Sequence, residues 1–109
     1  MKFNAEQFTE DLVIANSAAQ EAADLHDDGG SANLDRAFVR IPRIRETKIL
    51  QAIKDAGLYC SGRTQWLGSG YMIRPNVGGI GNKNTIAIKT FVEKLENAGY
   101  DVIAFHQMD

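Results

Sequence analysis

Histidine and cysteine are scarce in this chain, and their scarcity narrows what it can do. Among 109 residues there are two histidines, one cysteine and two prolines. Cys60 alone cannot make an internal disulfide, which fits a reducing compartment. No apolar run approaches the roughly 20 residues of a membrane span. The first residues, MKFNAEQFTEDL, are too acidic and polar for a secretory signal. These absences predict a cytoplasmic protein without a membrane partner. Hydrophobic residues make up 44% and charged residues 24%, which excludes disordered and collagen-like chains. The length suits one ordinary domain with its own core.

Charge is unevenly spread. Residues 1–35 set Lys2 alone against eight carboxylates, whereas all six arginines fall between Arg36 and Arg74. Such a field concentrates a small anion. It is weak for duplex nucleic acid, whose binders are strongly basic.

The local pattern predicts an α+β fold. Asn4 and Gln7 have capping-box spacing, and Phe8, Leu12, Ala15, Ala19 and Ala22 follow at helical period. That helix should end near Asp27–Gly30. Its alanine-rich face is narrow, and Val13 and Ile14 lie off the stripe, which predicts packing against another subunit. The chain is accordingly divided into an oligomerisation helix at 1–26 and a ligand-binding domain at 27–109. A strand at Ala37–Ile41 ends at Pro42. A helix at 44–56 closes at Gly57. Two strands, Leu58–Ser61 and Leu67–Arg74, are expected to flank a turn at Gly62–Trp66. A helix follows from Asn84 to Ala98, then a strand from Asp101 to Gln107. Lys54-Asp55-Ala56-Gly57-Leu58-Tyr59 and Glu96-Asn97-Ala98-Gly99-Tyr100 echo each other. The echo predicts a ferredoxin-like βαββαβ arrangement with an antiparallel sheet after the first helix.

Three groups of residues suit a phosphate-bearing ligand. Gly78, Gly79, Gly81, Asn82, Lys83, Asn84 and Thr85 form a glycine-rich approach to a helix start, where backbone N–H groups and Lys83 attract an anion. The run lacks the ending of a Walker A loop and the glycine spacing of a dinucleotide fingerprint. A plain connector capped by Asn84 is the competing reading. Arg40, Arg43 and Arg74 sit at the ends of two strands expected to be neighbours, so their guanidinium groups are predicted to converge. Trp66, with Tyr71 in reserve, is the candidate for stacking on a base. Core packing competes for Tyr71. No catalytic set accompanies these residues: His26 sits at a helix end, and His106 has no partner by spacing. The residues therefore predict a binder and not an enzyme, with no metal and no cofactor.

Asp28-Gly29-Gly30-Ser31-Ala32-Asn33-Leu34-Asp35, the Gly78–Asn82 loop and the ending from Gly99-Tyr100-Asp101-Val102 to Phe105–Asp109 resemble a family of phage-encoded proteins, the first type of Thoeris anti-defence protein. The resemblance spans residues 27–109. It implies a sponge that sequesters cyclic ADP-ribose isomers, and in some members cyclic oligonucleotides, without cleaving them. It also implies a homo-oligomer, a dimer or a trimer of dimers, in the cytoplasm of the infected host cell. A single-stranded nucleic-acid module and a small phage inhibitor acting by protein contact are the rival readings, with an enzyme behind them. Nucleic acid is the less expected partner because the first helix is acidic.

Overall fold

The computed structural model describes residues 3–26, 29, 35–77 and 81–106. The elements run α1 (Ala5–Asp24), β1 (Arg36–Arg40), α2 (Glu46–Asp55), β2 (Arg63–Trp66), β3 (Gly68–Ile73), α3 (Asn82–Asn97) and β4 (Asp101–Phe105). The described residues form an α+β fold: three helices and a four-stranded antiparallel sheet in the order β2-β3-β1-β4.

Asn4 caps α1 as its sequence predicts, its side chain accepting from the Gln7 N–H at 3.1 Å. The reciprocal half of the capping box is not made, because the Gln7 amide donates to Asp11 instead. The predicted stripe is buried at Phe8, Leu12, Ala15 and Ala19, but its last turn is Ala23 and not Ala22, which is half-buried. These residues do not form a separate unit. They share one core with Val39 of β1, Ile49 and Ile53 of α2, and Phe91 and Leu95 of α3. The alanines let α1 lie close along α3, while its other flank meets α2. Thr9 donates to the Ala52 carbonyl of α2 at 3.2 Å. Asn76, beyond β3, is tied to Asn16 and Gln20 of α1 and to Gly57 at the end of α2. The division of the chain at residue 26 therefore has no counterpart in the packing.

The hairpin also departs from expectation. The strand is Arg63–Trp66, not Leu58–Ser61, and Trp66 ends the strand instead of lying in a turn. The reversal falls at Leu67–Gly68, where Gly68 takes a left-handed φ of 83° that a side chain resists. Leu58 is spent on the core beneath α2. The last helix starts at Asn82 rather than Asn84, with Gly81 at its cap. The strand after it closes at Phe105.

The helices cover the sheet face that bears Ala37, Val39, Ile73 and Val102. Period-two alternation turns Arg36, Phe38 and Arg40 of β1 to the other face. There Phe38 is fully buried with no helix above it among the described residues. Gly70 of β3 makes room, since a Cβ at that position would lie 2.5 Å from the Phe38 ring and 2.9 Å from the Val39 carbonyl. Trp66 covers Phe38 edge-on at 5.2 Å and meets Phe105 at 4.7 Å. Gly70→Ala should therefore cost about 1–3 kcal/mol, the usual penalty for overpacking. Chemical denaturation checks this, and an unchanged midpoint would mean that the ring moves aside freely.

Tyr100 fastens α1 to the start of β4. Its hydroxyl donates to Asp11 Oδ2 at 2.6 Å. Burial, and then the hydrogen bond and charge of Asp11, raise its pKa above the ordinary 10.0. The raised value belongs to the folded state, so this stabilisation is intact below pH 10 and is lost as pH rises beyond it. Tyr100→Phe should cost about 1–2 kcal/mol at neutral pH. It should also flatten the alkaline loss of stability, as read from denaturation midpoints across pH 8–11.

Candidate functional site: an arginine-lined cleft

A cleft of about 650 Å³ opens where β1 leaves the sheet. That volume is in the range of small-molecule sites. Arg40, Arg43 and Arg63 line it, with Tyr71, Ser69 and Asp101, and the chain from Ile41 to Ile44 forms its rim.

Arg40 is held on both sides. Its Nη1 donates to the Leu67 carbonyl at 2.7 Å, and its Nη2 donates to Asp101 Oδ1 at 3.0 Å. Nε faces Asp101 Oδ2 at 3.0 Å without hydrogen-bond alignment. Asp101 thus neutralises one of the three charges. Arg63 is anchored by Nε to the Tyr71 hydroxyl at 3.2 Å and by Nη2 to the Ile44 carbonyl at 3.3 Å. Its guanidinium stands 5.9 Å from the Tyr71 ring centroid. Its backbone N–H donates to Glu46 Oε2 at 2.8 Å.

Arg43 has a different character. Its φ is 68°, and it is the only described non-glycine residue with a positive value. Pro42 precedes it, so Ile41-Pro42-Arg43-Ile44 has the pattern of a type II turn, which favours glycine at the position Arg43 holds. Left-handed backbone costs an ordinary residue roughly 1–2 kcal/mol. Sparsely populated backbone of this kind clusters at ligand sites, where the rest of the structure holds it in place. The Arg43 side chain is exposed and makes no hydrogen bond or ion pair among the described residues. Its charge is therefore available to a ligand.

A second recess of about 280 Å³ shares Arg40, Ile41, Pro42, Ile44 and Asp101 with the cleft and extends it toward Phe3 and Tyr100. The combined site has cationic groups at one end and apolar walls at the other.

No protein-family model, curated protein or solved structure matches the chain.

The predicted site residues divide between places. Arg40, Arg43 and Tyr71 meet in the cleft, although Tyr71 lies in the core and presents its hydroxyl edge, not a stacking face. Trp66 is on the open sheet face, 39% exposed, with its ring engaged by Phe38 and Phe105. Arg74 does not join Arg40. The strands run antiparallel, and the register that pairs Ala37 with Ile73 carries Arg74 to the opposite end, beside Arg36. There its Nε donates to Asn84 Oδ1 at 3.0 Å. Asn84 is fully buried inside the first turn of α3 and is not a cap. Gly81 is the cap residue, and the Thr85 hydroxyl lies 3.4 Å from its carbonyl. The Asn82 N–H donates to the Gly29 carbonyl at 2.8 Å. Lys83 is half-buried in the same turn. Gly78 and Gly79 lie outside the described residues. His106, expected to have no partner, lies 2.8 Å from the buried carboxylate of Asp35.

Arg63, Ser69 and Asp101 are the polar cleft residues that sequence reasoning missed. The signal for Arg63 was present: Arg63-Thr64-Gln65-Trp66 carries strand-forming residues with no glycine or proline inside it.

Proposed function

We propose that the chain is a non-catalytic binder of a cyclic, phosphate-bearing nucleotide, held in the arginine-lined cleft and released unchanged. The observation that carries this reading is the convergence of Arg40, Arg43 and Arg63 on one cavity of about 650 Å³. Guanidinium groups match phosphate by paired, charge-assisted hydrogen bonds. With Asp101 offsetting Arg40, the cleft suits a ligand with two negative charges. The apolar recess beside it suits a base or ribose.

The resemblance to the Thoeris anti-defence family points to the ligand class, a cyclic ADP-ribose isomer or cyclic oligonucleotide. In this reading the protein acts by stoichiometry in an infected bacterial cell, as a sponge for an immune signal. The sheet order β2-β3-β1-β4 supports the ferredoxin-like reading of the βαββαβ part, with α1 set between its two helices. Val13 and Ile14, 45% and 59% exposed on α1, support a homo-oligomer.

A thermal-shift screen of the full chain against cyclic ADP-ribose isomers and cyclic oligonucleotides tests the ligand class. A true ligand at about 100 times its Kd should stabilise the fold by roughly 2.7 kcal/mol. No shift with any of these ligands would remove the reading.

A further inference from the structure

Asp101 stands where the cleft meets the recess beside it, and it is the one carboxylate among the described residues lining either. We propose that Asp101 is the specificity-determining residue of this site: it accepts hydrogen bonds from ribose hydroxyls, so that the cleft takes a ribonucleoside diphosphate group in preference to its 2′-deoxy counterpart. This rests on the reading of the cleft as a phosphate seat.

A carboxylate works against anion binding. Set among Arg40, Arg43 and Arg63, Asp101 repels the phosphates that the arginines attract. A cleft for phosphate alone would be better served by a neutral partner for Arg40, which can hold a guanidinium through one carbonyl oxygen. An acid at this place fits a ligand that carries hydrogen-bond donors next to its phosphates. A nucleoside diphosphate has that chemistry, because the ribose that bears the phosphates also bears hydroxyls. An ionised carboxylate only accepts. It is the group that takes ribose hydroxyls in dinucleotide sites.

The geometry leaves Asp101 able to accept more. Oδ1 takes a hydrogen bond from Arg40 Nη2 at 3.0 Å. Oδ2 faces Arg40 Nε at 3.0 Å out of alignment. Two carboxylate oxygens offer about four acceptor positions, and the side chain is 55% exposed. Its place is set before any ligand arrives. Asp101 opens β4 directly opposite Arg40 of β1, and Arg40 is held in turn by the Leu67 carbonyl. Such preorganisation lowers the ordering cost of binding. The neighbouring hydroxyls are engaged: Ser69 donates to Gln65, and Tyr100 donates to Asp11. Arg43 and Arg63 line the cleft only, and Phe3 and Tyr100 line the recess only. With phosphates on the arginines and the base in the recess, the ribose between them falls at Asp101.

The test is an NMR titration of the full ¹⁵N-labelled chain, and of its Asp101→Asn variant, with ADP, 2′-deoxy-ADP and inorganic pyrophosphate. Asparagine keeps an oxygen for Arg40 and removes the charge, and retained spectral dispersion will show that the variant folds. The parent should bind ADP about tenfold more tightly than 2′-deoxy-ADP, the effect of one charge-assisted hydrogen bond. In Asp101→Asn that preference should disappear, while pyrophosphate, which has no ribose, should bind more tightly than it does to the parent. Equal affinity of the parent for ADP and 2′-deoxy-ADP, or the same preference in Asp101→Asn, overturns the proposal and leaves the cleft as a phosphate seat. Weaker pyrophosphate binding in Asp101→Asn also overturns it, because Asp101 would then serve only to hold Arg40. No saturable shift at Arg63 or Ser69 with any of the three probes would overturn the reading of the cleft itself, and this proposal with it.

Discussion

Deleting residues 1–24 should abolish cooperative folding of the chain. Phe8 and Leu12 are fully buried, and Ala15 and Ala19 lie beside them with no exposure. Truncating one buried phenylalanine to alanine costs roughly 3–5 kcal/mol, and one leucine roughly 2–5. A domain of this size has only about 5–15 kcal/mol in total. Removing both side chains, the alanine seam and the links to Asn76 exceeds what the remainder can sustain. Circular dichroism during thermal melting should show no sigmoidal transition for the truncated chain. A sharp transition near that of the full chain would mean that residues 27–109 fold alone. In that case α1 is free to serve assembly only. A milder version separates core from interface: Leu12→Ala should lower the melting point at every concentration, whereas Ile14→Ser should change the subunit count and spare the fold.

Arg43→Gly is the second large effect, and its two parts run in opposite directions. Glycine adopts the left-handed backbone at this position without steric penalty, although it has more entropy to lose on folding. The two terms nearly cancel, so stability should stay within about 1 kcal/mol of the parent. The side chain that aims a charge at the cleft is gone, however. Affinity for a phosphate-bearing ligand should fall by about 1.5–3 kcal/mol, ten- to a hundredfold. Arg43→Ala is the control, because it loses the charge and keeps the strain. Calorimetric titration with a ligand from the thermal-shift screen gives the affinities, and denaturation gives the stabilities. Equal affinity for parent and Arg43→Gly would show that the cleft is not the seat of the phosphate.

What the sequence disclosed depended on the range of the interaction. The buried stripe of α1 was readable because helical periodicity is local. So was the Asn4 cap, which acts over three residues. The destination of that stripe was not readable. An alanine-rich face fits a partner subunit or a neighbouring helix equally well, and only the tertiary fold shows that it meets α3. The hairpin was misplaced for a related reason. Gly62 and Gly68 both mark turns, and nothing local says which of them reverses the chain. Convergence of the arginines was half legible. Arg40 and Arg43 are neighbours by sequence and by space. Arg74 required the strand direction, and antiparallel pairing takes it to Arg36. Arg63 reaches the cleft through a cross-strand pair with Tyr71, and such pairs leave no trace in local spacing. The left-handed Arg43 is a conformational fact, and the Pro42-Arg43 dipeptide hints at it without specifying it.

The claim at the centre of this account is that the protein holds its ligand without converting it. It is tested by incubating the full chain with an excess of a cyclic ADP-ribose isomer, removing unbound material, denaturing the protein, and analysing what is released by mass spectrometry. The account predicts recovery of the intact cyclic nucleotide in a fixed ratio to subunits, independent of incubation time, and loss of that recovery in Arg43→Gly. Linear or hydrolysed product that accumulates with time beyond the number of subunits would contradict it and make the protein an enzyme.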